Sequence, residues 1–266
     1  MQHKQIITQN GTIHYWIEKK NPFLDWLVFT HGVTADHTMF EKQIDFFSGK
    51  YNLLLWDIPL HGMSKPYQNF SYQNTAKIMY LMFQKEDIEQ AILIGMSMGG
   101  YPSQHFAILY PNMVKGFIAL DTTPLGLHYY SRLDLWWLRQ VAPLAKLFSE
   151  KILRKSMAWS ISKTNYSYQK MMSILNKQSK KEIIEQMRVA YEFFPLENQE
   201  VDFSFPVLIL VGEYDSTGKV KTYCKKWAKN TGYPLHFIKN AKHFSNGDNS
   251  EQVNQEITFF IQTLQK

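Results

Sequence analysis

Short, continuously apolar runs recur along the chain at Trp26–Thr30, Asn52–Trp56, Ala91–Ile94, Gly116–Leu120, Pro206–Val211 and Leu235–Ile238. Runs of this length without polar alternation suit strands covered on both faces, the condition of a parallel sheet between helical layers. Between them, apolar residues recur at helical spacing over Met39–Phe47, Tyr72–Lys85, Tyr101–Tyr110, Lys219–Asn230 and Ser250–Leu264. This alternation predicts an α/β protein with a doubly wound, mostly parallel sheet. Ile6–Thr8 and Thr12–Ile17 flank Asn10-Gly11, a strong hairpin signal, so an antiparallel hairpin is expected to open the sheet.

The alternation is interrupted once. From Thr122 to about Phe205 only helical stretches are found, around Tyr129–Val141, Ala145–Ser162, Tyr166–Asn176 and Lys180–Phe194. The expected organisation is therefore a core of residues 1–121 and 206–266 with a helical cap, 122–205, inserted after a strand end. That is the side on which open α/β sheets bind ligands. The competing reading is a helical layer with no part in catalysis.

Charge changes the picture little. Thr122–Glu200 holds 12 Lys and Arg against 7 Asp and Glu, and so most of the chain's net +6. These residues alternate with aromatic and Met positions at helical spacing, the pattern of solvated amphipathic faces, and no nucleic-acid partner is expected. No apolar stretch reaches 18 residues and no leader-like order opens the chain, so neither a membrane span nor a signal peptide is expected, and membrane-surface contact lacks support. The single cysteine, Cys224, lies in a lysine-rich helical segment and reads as a surface or half-buried thiol. A cytoplasmic location is expected.

Chemistry concentrates at Gly95-Met96-Ser97-Met98-Gly99, where a buried strand passes at once into a helix. Such a turn strains the serine backbone, needs glycines on either side and leaves the hydroxyl exposed near the positive end of a helix dipole. Serine is a poor nucleophile until an imidazole takes its proton, and the imidazole needs a carboxylate to hold its tautomer. Asp215 follows the strand ending at Val211, and His243 follows the strand Leu235–Ile238. Ser97…Asp215…His243 is the chain order that accompanies this turn. Asp121 also ends a strand and Glu213 lies beside Asp215, so both compete for the orienting role. His236 lies within a strand and reads as buried or paired, while His105 and His128 lack a motif.

With these motifs the sequence resembles the α/β-hydrolase superfamily over nearly its whole length. The matching segments are Thr30-His31-Gly32-Val33, Trp56-Asp57-Ile58-Pro59-Leu60-His61-Gly62-Met63-Ser64, the Ser97 turn, Val211-Gly212-Glu213-Tyr214-Asp215 and Lys242-His243-Phe244. The resemblance implies Ser97 as nucleophile, His243 as general base and then acid, and Asp215 as the residue orienting the histidine. It implies backbone N–H donors at Val33 and Met98 for an oxyanion, with His31 and His61 bracing loops. Leu60 stands where the family commonly has glycine.

No metal-ligand cluster and no phosphate-cradling Gly-x-Gly-x-x-Gly are evident, so no metal and no cofactor are expected. The expected activity is that of a serine hydrolase, carboxylesterase-like, cleaving a small-molecule ester, thioester or lactone with an apolar acyl group. Trp136, Trp137, Met157 and Trp159 are candidates for the substrate pocket, against the plainer reading that such residues form the cap's own core. A carbon–carbon bond hydrolase of the same fold and a ligand-binding sensor that retains the triad are the alternatives.

Overall fold

The computed structural model describes residues 1–265. Eight strands form one sheet: β1 Gln2–Thr8, β2 Gly11–Glu18, β3 Trp26–Thr30, β4 Asn52–Trp56, β5 Ala91–Met96, β6 Val114–Leu120, β7 Val207–Gly212 and β8 Leu235–Ile238, in the order β1-β2-β4-β3-β5-β6-β7-β8. β1–β2 and β2–β4 pair antiparallel, and all other pairs are parallel. Strands β3, β4, β5 and β7 are buried at every residue, which explains their unbroken apolar sequences. The hairpin differs in register from its sequence signal. Thr8 pairs with Gly11, so the two-residue turn is Gln9-Asn10 and Gly11 already belongs to β2. A Cβ on Gly11 would lie 2.7 Å from the Pro66 carbonyl oxygen, so this glycine serves close packing rather than the turn.

Helices α1 Glu41–Phe47, α2 Tyr72–Lys85 and α3 Gly100–Leu109 follow β3, β4 and β5. Between β6 and β7 lie four consecutive helices, α4 Arg132–Ala145, α5 Glu150–Ile161, α6 Asn165–Asn176 and α7 Lys180–Leu196, with no strand among them. Each starts at a Ser or Thr whose side chain accepts an N–H of the first turn: Ser131, Ser149, Thr164 and Ser179. The chain closes with α8 Val220–Thr231, the short α9 Ser245–Asp248 and α10 Ser250–Thr263. Among the described residues no helix is long and apolar enough to cross a membrane.

The apolar interior divides in three. Two clusters cover the two faces of the sheet, and a third, built on Leu153, Met171, Leu175, Ile183 and Met187, is the interior of the four-helix segment. Met157 and Met172 pack against this third cluster, and so does Val33 from the loop after β3. Cys224 differs from its expected exposure: α8 buries it completely, and its thiol donates to the Thr122 carbonyl. The lysines around it occupy the outer face of the same helix, and the thiol sits on the inner one. His236 is exposed on β8 and paired with Glu256 at 2.7 Å.

Candidate active site

The parallel strands β3, β5, β6 and β7 end on one edge of the sheet, and the residues just past those ends meet there. Ser97 follows β5 directly, with φ +51°, in a one-turn 3-10 segment that leads into α3. This left-handed backbone costs a non-glycine residue about 1–2 kcal/mol and is held by its surroundings. A Cβ on Gly95 would lie 2.6 Å from the Gly100 Cα, and one on Gly99 would lie 2.2 Å from the Thr30 carbonyl oxygen. Neither neighbour is a flexible side chain, so the turn requires glycine at both places. Leu60 adopts φ +71°, so the loop after β4 keeps the glycine-type turn despite its leucine.

The Ser97 Oγ lies 2.8 Å from Nε2 of His243, whose Nδ1 lies 2.9 Å from a carboxylate oxygen of Asp215. Both partners are buried, while Ser97 is half-buried. Asp215 also accepts the Thr217 N–H at 2.8 Å, which leaves its other oxygen for the histidine. Burial disfavours the charged imidazole, but the Asp215 charge and hydrogen bond, with help from Asp121, outweigh it and hold His243 above its ordinary value. Burial likewise works against the Asp215 carboxylate, but His243 and the Thr217 contacts outweigh it and keep the carboxylate below its ordinary range. The pair therefore favours an ionised Asp215, which holds the Nδ1 proton and leaves Nε2 of the neutral ring facing Ser97. Glu213, two residues before Asp215, accepts the Asn240 N–H instead.

Gly32 approaches the serine closely: a Cβ built on it would lie 3.2 Å from the Ser97 Cβ. Val33 is thus beside Ser97, half-buried, and its N–H donates to no acceptor among the described residues. Met98 is buried in the first turn beyond Ser97, where backbone N–H groups lack partners within the helix. His31 accepts the Ile58 N–H at Nε2 and bonds the Gly32 carbonyl through Nδ1, and His61 Nδ1 lies 2.9 Å from the Pro59 carbonyl oxygen. Burial pushes the His61 imidazole down to about 3 and lowers His31 as well, so both stay neutral and act as braces.

The four-helix segment is fastened to the loops of this edge. Gln178 donates to the Thr34 carbonyl and Gln186 to the Leu60 carbonyl, at 2.8 and 2.7 Å. Asp248 accepts the N–H groups of Lys163, Thr164 and Lys242 at 2.9–3.0 Å, joining the α5–α6 junction to the histidine loop. The ties to Thr34, Leu60, Lys163 and Thr164 carry no sequence signal, since their partners are remote in the chain. Of the candidate pocket residues, Met157 is half-buried against the interior of the segment. Trp136, Trp137 and Trp159 are each more than half exposed. α4 and α5 bury Ala142, Ala145, Leu153 and Ala158, and these tryptophans lie outside that buried face. Trp159 lies beside the histidine loop, its carbonyl taking the Lys242 ammonium at 3.0 Å. Two cavities, of about 280 Å³ around Asp25 and Tyr51 and about 370 Å³ around Val207 and Tyr233, lie at the opposite edge of the sheet.

A family model described as the alpha/beta hydrolase fold matches residues 25–250. The chain belongs to this family. It is similar to the uncharacterized hydrolase YugF of Bacillus subtilis, 31% identical over 115 residues, which are 42% of each chain. It is also similar to a pimeloyl-[acyl-carrier protein] methyl ester esterase of Wigglesworthia glossinidia brevipalpis, 31% identical over 98 residues, 37% of this chain and 36% of that one. The matched region thus spans about two-fifths of these curated relatives. Among solved structures, a thermophilic esterase from Thermogutta terrifontis superposes with a TM-score of 0.80 at 19% identity, covering both chains completely. An esterase from Exiguobacterium antarcticum superposes with a TM-score of 0.83 at 15% identity, over 98% of this chain and 100% of that chain. These two share the fold.

Proposed function

We propose that this α/β hydrolase is a serine carboxylesterase that cleaves esters of small to medium apolar acids, and that residues 122–205 cap its site. The observation that carries the reading is the continuous hydrogen-bonded line from Ser97 Oγ through His243 to Asp215. The Ser97 proton passes to His243 Nε2 as Oγ attacks the ester carbonyl, and Asp215 stabilises the imidazolium through Nδ1. The developing oxyanion takes the Val33 and Met98 N–H groups, each such donor being worth roughly 10²–10³-fold in rate. His243 then gives its proton to the leaving alcohol, and a water deprotonated by the same imidazole cleaves the acyl-enzyme. The ties from Gln178, Gln186 and Asp248 to three loops of this edge support the cap assignment. Esterase-named relatives, such as the pimeloyl-[acyl-carrier protein] methyl ester esterase, support ester chemistry.

The test is a fluorophosphonate probe followed by a p-nitrophenyl ester series of increasing acyl length, with wild type and Ser97→Ala side by side. Wild type is expected to label at Ser97 and to turn over short and medium esters, and Ser97→Ala to do neither. Absence of labelling at Ser97, or turnover that survives Ser97→Ala, overturns the reading.

A further inference from the structure

Asp121 follows β6 directly and has no place in the proton path. It is nonetheless among the most constrained residues of the site. Its side chain is fully buried and its backbone has φ +47°. One carboxylate oxygen accepts the Gly212 N–H at 2.8 Å, at the end of β7 and three residues before Asp215. The other accepts both the N–H and the hydroxyl of Ser245, two residues after His243. The carboxylate oxygens of Asp121 and Asp215 and a ring nitrogen of His243 all lie within 4.8 Å of one another. A buried acid with three donors satisfies its own desolvation, but its position does more, since the two segments it joins are those that carry the acid and the base.

Resting on the Ser97–His243–Asp215 reading above, we propose that Asp121 is a positioning residue. Its carboxylate clamps the Asp215 loop to the His243 turn and adds a second negative charge behind the imidazole. Burial, together with the Asp215 charge, raises the Asp121 carboxyl to about 7, while the His243 charge and its own donors pull the other way. The two groups then titrate as a pair rather than singly. The other titratable groups facing them are Asp215 and the buried Cys224 thiol of α8, whose burial keeps it neutral. Lys242 sends its ammonium to the Trp159 carbonyl, and its N–H belongs to Asp248.

The experiment compares wild type, Asp121→Asn and Ser245→Ala. The His243 ring is followed by NMR titration, kcat and KM are measured on a p-nitrophenyl ester, and Tm reports folding. Asp121→Asn keeps the shape but removes the charge and turns one acceptor into a donor. We expect the His243 midpoint to fall by about half to one pH unit, because an ionised neighbour no longer stabilises the imidazolium. We expect kcat to fall roughly 10- to 100-fold, the cost of displacing a base by part of an ångström, with KM within about twofold. Ser245→Ala removes only the hydroxyl donor and is expected to move both readouts in the same direction by less, which keeps the test alive if Asp121→Asn does not fold. A lowered Tm with an unchanged His243 titration and unchanged kcat would make Asp121 purely structural and overturn the proposal. A shifted titration in a protein whose wild type ignores esters would overturn the esterase reading and leave this one standing.

Discussion

Gly212, at the end of β7, packs directly against the backbone of the histidine loop, and Gly212→Ala probes how tightly that contact sets the site. A Cβ on Gly212 would lie 2.1 Å from the Lys242 carbonyl oxygen and 2.7 Å from that of Ala241. Both are backbone atoms, so no rotamer change relieves the clash. Restoring a tolerable separation near 3.0 Å requires the two segments to part by about 1 Å. His243 is the next residue after Lys242, and Asp215 is three residues after Gly212, so the opening falls on the 2.9 Å His243–Asp215 hydrogen bond. Overpacking of this kind costs about 1–3 kcal/mol of stability, and a 1 Å misplacement of a reacting group costs on the order of 10²-fold in rate. Gly212→Ala is therefore expected to remain folded, with a lowered urea midpoint, and to lose about 10²-fold in kcat/KM on a p-nitrophenyl ester. Labelling of Ser97 by a fluorophosphonate should slow in parallel, since it draws on the same base. A folded Gly212→Ala protein with wild-type kcat/KM would refute the idea that this contact sets the geometry.

Three further outcomes are expected. Ser97→Ala should lower kcat by roughly 10⁴–10⁶-fold with little change in KM or Tm, because only the proposed nucleophile is removed; a decrease under tenfold in steady-state assays would count against Ser97. In wild type, kcat/KM should rise with pH through a midpoint above 6.5, since Asp215 raises the His243 imidazole and only its neutral form accepts the serine proton; a midpoint below 6.5 would contradict the pairing. Asp248→Ala strands the N–H groups of Lys163, Thr164 and Lys242, and urea unfolding should show a loss of about 2–3 kcal/mol together with slower ester turnover. A stability change within about 0.5 kcal/mol would show that Asp248 is not what fastens the helical segment to the histidine loop.

Much of the site was legible because its elements announce themselves locally. The apolar runs are uninterrupted since both sheet faces are covered, and the glycines of the Ser97 turn mark a close approach that a short motif can carry. The hairpin register was not legible in the same way, since Asn10-Gly11 satisfies a turn rule while Gly11 answers to Pro66, 55 positions along the chain. The burial of Cys224 escapes the sequence for a related reason: its neighbours in sequence are lysines, but its neighbours in space are Thr122 and the site carboxylates.

From the sequence alone came the alternation of elements, the place of the helical insertion, and the order of Ser97, Asp215 and His243 after successive strand ends. These follow from backbone propensity and burial pattern, which act over a few residues. Only the tertiary structure decided what surrounds the three: Asp121 bridging β7 to α9, Gly212 against Lys242, and Gln178, Gln186 and Asp248 fastening the insertion. Each of these depends on segments far apart in the chain meeting at hydrogen-bond distance, a condition set by packing that no local pattern encodes.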